Sequence, residues 1–393
     1  MAKETWGLRS ALARDPHEEG RTASPIELFF DLVFVVAVSL AAQNLHHFES
    51  DQHFSAAILR YLMVFFAIWW AWMNFTWYAT GFAVDDWLYR VLSLIQMAGA
   101  LVLAAGVPAA MQVRDFTFVI AGYVIMRLAM VAQWLRAAHD NPQYRRMAIT
   151  YAGGIAVVQV LWVAWGLVPA RWQLLTFILF MSCELAVPIF ARRLTAAWHP
   201  HHVAERFGLF TLIVLGESIL AASTSIVAAA KDTTHHGDLI LLAMTGFLIV
   251  AAMWWIYFEY PQGQELAARR GSFLWGYGHY FIFASAAAVS AGIEVALDYD
   301  TRHTGLDAAH AAAALCVPVA VFVWVVWGLM VWPHGPTRAR VAMPLVAAGI
   351  LLAVFLPYSL QIAAALMVLL VAVMVLDGRG HVRGNHHGHT TTG

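Results

Sequence analysis

The sequence predicts an all-α, polytopic membrane protein of about twelve transmembrane helices, most of them able to cross a hydrocarbon core about 30 Å thick. Three observations carry that expectation. Hydrophobic residues make up 61% of the 393 and charged residues only 12%, whereas an ordinary soluble domain is about 25% charged. Long uncharged runs recur from residue 26 to residue 376. None of these runs alternates apolar with polar residues, as the strands of a membrane β-barrel must.

The runs divide at approximately 26–46, 55–79, 88–110, 116–137, 147–167, 172–191, 205–228, 238–260, 272–297, 306–332, 340–356 and 358–376. Only Leu356, Pro357 and Tyr358 separate the last two, so residues 340–376 read either as two spans or as one kinked helix. The expected organisation is a 1–25 cytoplasmic segment, a 26–191 six-helix half, a 192–204 connector, a 205–376 six-helix half and a 377–393 disordered Gly/His-rich tail. The histidines of that tail could also bind metal, but no ligand geometry is implied. Residues 1–25 lack the short apolar core of a removable signal peptide, so the first span would direct insertion. Cys183 and Cys316 lie in apolar runs and imply no disulfide framework.

Basic residues set the orientation. With the N-terminus inside, seventeen Lys and Arg fall in inner segments and five in outer ones (Arg60, Arg114, Arg171, Lys231, Arg302). Arg127, deep inside the fourth span, is left over. Such a bias predicts N-in, C-in topology, and the excess of Arg over Lys with abundant Ala points to a GC-rich bacterial genome and hence to the inner membrane. Trp69, Trp70, Tyr78, Trp87, Trp254, Trp255 and Tyr257 are expected in an interfacial belt.

Two stretches open alike. Span one begins Glu27-Leu-Phe-Phe-Asp31 and span seven Glu205-Arg-Phe-Gly-Leu-Phe, with Glu217 inside the run about 18 Å further along the helix. Span two carries Trp69-Trp70-Ala-Trp-Met-Asn74, span eight Trp254-Trp255-Ile-Tyr-Phe-Glu259. Six spans per half keep both halves in one orientation, which predicts two parallel repeats.

Two layers of polar residues follow from depth along the spans. Glu27, Asp31, Asn74, Glu205 and Glu259 share the inner third. Glu27 and Asp31, at i and i+4, lie on one helix face, where two carboxylates in low dielectric resist joint ionisation. Glu27 and Glu205 also read as N-terminal helix caps. Near the midplane, Arg127 is expected to pair with Glu184 or Glu217, either as a static salt bridge or as a proton-linked switch. His279 reads as a helix–helix hydrogen bond or a proton relay, and Glu294 as a solvated outer residue.

The run Pro25-Ile-Glu-Leu-Phe-Phe-Asp31-Leu-Val-Phe and the run Glu205-Arg-Phe-Gly-Leu-Phe-Thr-Leu-Ile-Val-Leu-Gly-Glu217-Ser218 resemble the signatures of the bacterial low temperature requirement A family. The Trp-Trp-Ala-Trp-Met-Asn-Phe-Thr-Trp run followed by Asp85-Asp86 fits the same family, as does Met126-Arg127-Leu128 followed by Trp134-Leu-Arg136. The resemblance implies a many-span membrane protein whose family name records a growth phenotype and not a reaction.

Three functions stay open. A proton-linked solute or ion transporter, with Asp31, Glu217 and Glu259 as coupling acids and its path between the halves, is favoured by buried acids outnumbering buried bases. A cation channel is the alternative: Phe29-Phe30-Asp31 resembles the first-helix Phe-Ser-Asp of the lysosomal potassium channel family. A non-transporting protein supporting growth in the cold is the third. No His-x-x-x-His metal cluster, nucleophile elbow or glycine-rich phosphate loop is present, so no enzyme, cofactor or metal is expected. The expected partners are the lipid bilayer and protons or small cations, and no nucleic acid.

Overall fold

The computed structural model describes residues 7–15, 18, 20–192, 198–231, 236–260, 262–263, 266, 272–332 and 335–387, excepting the side chains of 192, 229, 272 and 377–387. Among the described residues twelve α-helices follow one another. They are α1 (Pro25–Ser50), α2 (Phe54–Phe82), α3 (Trp87–Val113), α4 (Thr117–Asp140), α5 (Arg145–Trp165) and α6 (Ala170–Arg192). Then come α7 (Pro200–Lys231), α8 (His236–Phe258), α9 (Ser272–Asp300), α10 (Ala308–Val326), α11 (Thr337–Ala353) and α12 (Ser359–His387). A π-helical turn, Trp327–Val331, extends α10.

Eleven of these helices are long and apolar enough to cross a bilayer. The exception, α11, has 17 residues, a rise of about 25 Å against a hydrocarbon core of about 30 Å. Residues 340–376 are two helices and not one kinked helix: α11 and α12 pack together, and Tyr358 between them adopts a left-handed φ of 59°. The backbone of α12 is helical to His387, past Leu376 where the apolar run ends. The expected disordered tail thus begins in helix, and its end, 388–393, lies outside the described residues.

Helix ends follow local chemistry. Asp86 caps α3 by accepting from the Tyr89 N–H at 2.9 Å, and Asp307 caps α10 by accepting from the His310 N–H at 2.8 Å. The start of α7 corrects the sequence reading. The helix opens at Pro200, more than a turn before Glu205, because proline is preorganised for a first helical position. The expected connector therefore contributes His202 to the helix.

The chain divides into two compact units, Met1–Asn44 with Ile58–Phe210, and Leu45–Ala57 with Thr211–Gly393. In the first, α3 to α6 pack sequentially, each against the next. The α3–α4 contact is a backbone approach: a Cβ on Gly99 would lie 2.8 Å from the Gly122 carbonyl oxygen. Lipid gives apolar helices no reason to prefer one another, so small residues and buried polar groups set such contacts. In the second unit α9 packs on α10, α10 on α11 and α11 on α12, with α8 against α9, α10 and α12. Gly292 provides the close approach there, 2.5 Å from a Cβ at that position to the Ala314 carbonyl oxygen.

Outward positions are apolar, including Leu94, Leu101, Leu128, Val157, Leu175 and Leu179. That surface suits hydrocarbon and not water. The expected aromatic belt is only partly present. Trp87, Trp254 and Trp255 are exposed, but Trp69, Trp70, Tyr78 and Tyr257 are buried, because several of these rings bring polar tips to buried partners.

Residues 7–14 form a strap over helix ends of the first unit. The Ala11 N–H donates to Asp140 at 2.7 Å and the Ala13 N–H to Asn141 at 2.8 Å. The Arg9 N–H donates to Asp86 at 3.1 Å, and Arg136 bonds both Asp86 and the Arg9 carbonyl.

Candidate functional site

Two buried charge clusters lie in the first unit, and α2 supplies an indole to each. The first cluster joins α1, α2 and α7. Ser24 and Glu27 make the return half of a capping box: the Glu27 carboxylate accepts from the Ser24 N–H at 2.8 Å and from its hydroxyl at 2.7 Å. One turn on, Asp31 takes a two-pronged bond from Arg206 of α7, with Nε at 3.0 Å, and a bond from the Trp72 indole at 2.7 Å. Arg206 Nη1 also lies 3.2 Å from Glu27 Oε1. Glu27, Asp31, His202 and Arg206 are all at most 2% exposed. Aromatic rings close the surroundings: Phe75 sits 5.8 Å from the Arg206 guanidinium carbon, Phe30 stacks on Phe75, and Phe210 stacks on Trp72.

His202 completes this cluster. Its Nδ1 is 3.0 Å from the Thr80 hydroxyl, and that hydroxyl already donates to the Thr76 carbonyl at 2.9 Å. Thr80 can therefore only accept from His202, which places a proton on Nδ1. The other nitrogen, Nε2, faces Glu27 Oε1 at 3.4 Å. A bare lone pair opposite a carboxylate would be repulsive, so a further proton belongs between His202 and Glu27.

Outside the spans, Arg21 approaches the same region. It donates to the last carbonyls of α2, Ala79 at 2.8 Å and Thr80, as cations at helix C-termini do. Burial pulls its guanidinium down to about 10, which leaves it charged at neutral pH. Glu205, expected as a cap of its own helix, instead accepts from the Ala23 N–H at 3.3 Å. Asn74 donates to the Trp70 carbonyl of its own helix at 2.8 Å.

The second cluster surrounds Glu184 of α6. Five donors converge on its carboxylate: Trp70 at 2.7 Å, Tyr123 and Arg127 at 2.8 Å, Trp162 at 3.2 Å and Gln159 at 3.3 Å. Of the two acids expected to pair with Arg127, Glu184 is the one that does. A cavity of about 30 Å³ borders this group, lined by Phe66, Phe116, Tyr123, Trp162, Trp165 and Phe177 among others. It has room for about one water and offers few polar partners to hold one, so it is no substrate chamber.

Glu217 is half-buried and Glu259 exposed, the latter accepting from the Trp255 indole at 3.0 Å. His279 bonds the Trp275 carbonyl at 2.7 Å and the Tyr257 hydroxyl at 3.0 Å, the helix–helix reading of its role. Among the described residues no group of three or more His, Cys, Asp or Glu could hold a metal ion.

Sequence reasoning passed over His202 and Arg206. Both were readable in principle, since His202, Arg206 and Phe210 recur at i, i+4 and i+8 once the helix is started at Pro200. It also missed that Trp70 and Trp72 are donors to buried acids.

These features define a polytopic α-helical membrane protein with buried ion clusters linking its helices. The profile described as Bacterial low temperature requirement A protein (LtrA) matches residues 22–375, and the chain belongs to that family. It is also 26% identical to the uncharacterized protein RA0937 of Rhizobium meliloti (strain 1021), over 94% of this chain and 93% of the relative.

Proposed function

We propose that this chain is a proton-linked solute or ion transporter of the bacterial inner membrane, with Glu27, Asp31, His202 and Arg206 as its coupling site. The observation that carries the reading is the buried approach of His202 Nε2 to Glu27 Oε1 at 3.4 Å, where a lone pair facing a carboxylate calls for a proton between them. Carboxylates buried within a membrane domain are costly and mark ion or proton pathways. The role is non-enzymatic. The skew of basic residues supports N-in, C-in orientation, and the paired Trp-Trp and Glu-x-Phe motifs support two parallel six-helix repeats. The test is flux of H⁺, K⁺ and Na⁺ through liposomes holding the purified chain, under imposed gradients of each. Proton movement linked to a second species supports the reading, and silence from correctly inserted protein counts against it.

A structural, non-transporting role is the second reading, favoured by the Glu184 cluster. Five donors around one carboxylate hold four helices in register and leave no exchange partner to invoke there.

A further inference from the structure

The sequence leaves Glu294 solvated at an outer helix end, but in the second unit it faces a histidine. His46, near the end of α1, has a carboxylate oxygen at each ring nitrogen: Glu294 Oε2 is 3.2 Å from Nδ1, and Asp298 Oδ2 is 2.7 Å from Nε2. Glu294 and Asp298 are i and i+4 on α9 and so present one face. Ser50, one turn after His46, donates its hydroxyl to Asp298 at 2.9 Å. Glu49 stands beside them, 5% exposed, with its Oε2 buried and lacking a hydrogen-bond partner. It interacts electrostatically with His46.

A neutral imidazole has one N–H and one lone pair. It cannot satisfy two ionised carboxylates on opposite sides of its ring, because the lone pair would face an anionic oxygen. The geometry closes only if the imidazole carries both protons or one carboxyl carries its own.

We propose that His46, Glu294 and Asp298 form a binding site for one exchangeable proton, with Glu49 as a neighbouring acceptor. The site is independent of the transport reading. Titratable groups near it include His47, whose ring centroid is 4.9 Å from that of His46, and His303, which acts on Asp298. Access is available, since His46 is 12% exposed and the two α9 carboxylates 26% each. The bound proton ties the last turn of α1 to α9, and its release sets a lone pair against a carboxylate and weakens that contact.

The test uses full-length protein in lipid nanodiscs at pH 7.5, with ¹⁵N-labelled histidine. The signal lost in His46→Gln should show both ring nitrogens protonated, or else an infrared carboxylic-acid band should vanish in Glu294→Gln or Asp298→Asn. Either location of the proton supports the site. A neutral His46 ring with no such band overturns it. Raising the pH to 10 should abolish the proton signal reversibly, and a signal unchanged there defeats exchangeability. If His46→Gln fails to assemble, Asp298→Asn should shift the same histidine resonance, and an unshifted resonance contradicts the assignment.

Discussion

Trp70 and Trp72, two positions apart on α2, send their indole N–H groups to different acids, Glu184 and Asp31, each at 2.7 Å. Two residues on a helix are separated by about 200°, so one helix serves two clusters from opposite faces. The consequence is unequal. Among the described residues, Glu184 keeps four donors if Trp70 is lost, whereas Asp31 keeps Arg206. Trp72→Phe should therefore cost about 1.5–3 kcal/mol, the range for a bond to a charged group, and Trp70→Phe less. Thermal melting of both variants in one detergent checks the order.

Arg127 and Glu184 form a pair with both side chains at most 2% exposed. Arg127→Met strands a buried carboxylate and should cost about 3–5 kcal/mol. Arg127→Met combined with Glu184→Gln should recover a measurable part of that loss. A double variant no more stable than the single one would remove the pairing as a source of stability.

The strap over residues 7–14 should loosen in acid. Burial pushes the Asp86 carboxyl up, but hydrogen bonds from Arg136, Tyr89 and Arg9 outweigh it and hold the group below the usual carboxylate range. A folded-state value below the unfolded one gives stabilisation that is full above about pH 4 and is lost as pH falls through the depressed value. Amide exchange at Arg9 should accelerate over that window in the wild type. Asp86→Asn should exchange fast at every pH.

The α3–α4 contact should tolerate no side chain. A Cβ at Gly122 would collide with the backbone of Gly99 and Leu103, whereas one at Gly153 on α5 meets nothing within 4 Å. Gly122→Val should abolish folded yield, and Gly153→Ala should be neutral or stabilising by up to about 1 kcal/mol. Size-exclusion profiles of the two variants distinguish these outcomes.

The helices were legible because membrane spans announce themselves by length and apolarity, and Arg127 was legible because an arginine at that depth needs a carboxylate. The partner of Asp31 was not. Arg206 sits next to Glu205 in sequence and reads as one of many basic residues at an inner helix end. Only the folded chain brings it to α1, with Asp31 at 3.0 Å. His202 was hidden by the late placement of the α7 start. The tryptophans of α2 were misread because interfacial and buried indoles have the same composition signal, and the acid each one meets lies on another helix. Glu294 shows the same limit, since its neighbour His46 is far away in sequence.

The central claim is that the Asp31 cluster couples protons to transport while the Glu184 cluster holds the helices together. It is tested most directly by proton flux in liposomes, comparing Asp31→Asn with the Arg127→Met, Glu184→Gln double variant at matched insertion. Abolished flux in Asp31→Asn and retained flux in the double variant is the predicted result. Unchanged proton flux in correctly inserted Asp31→Asn would contradict the claim.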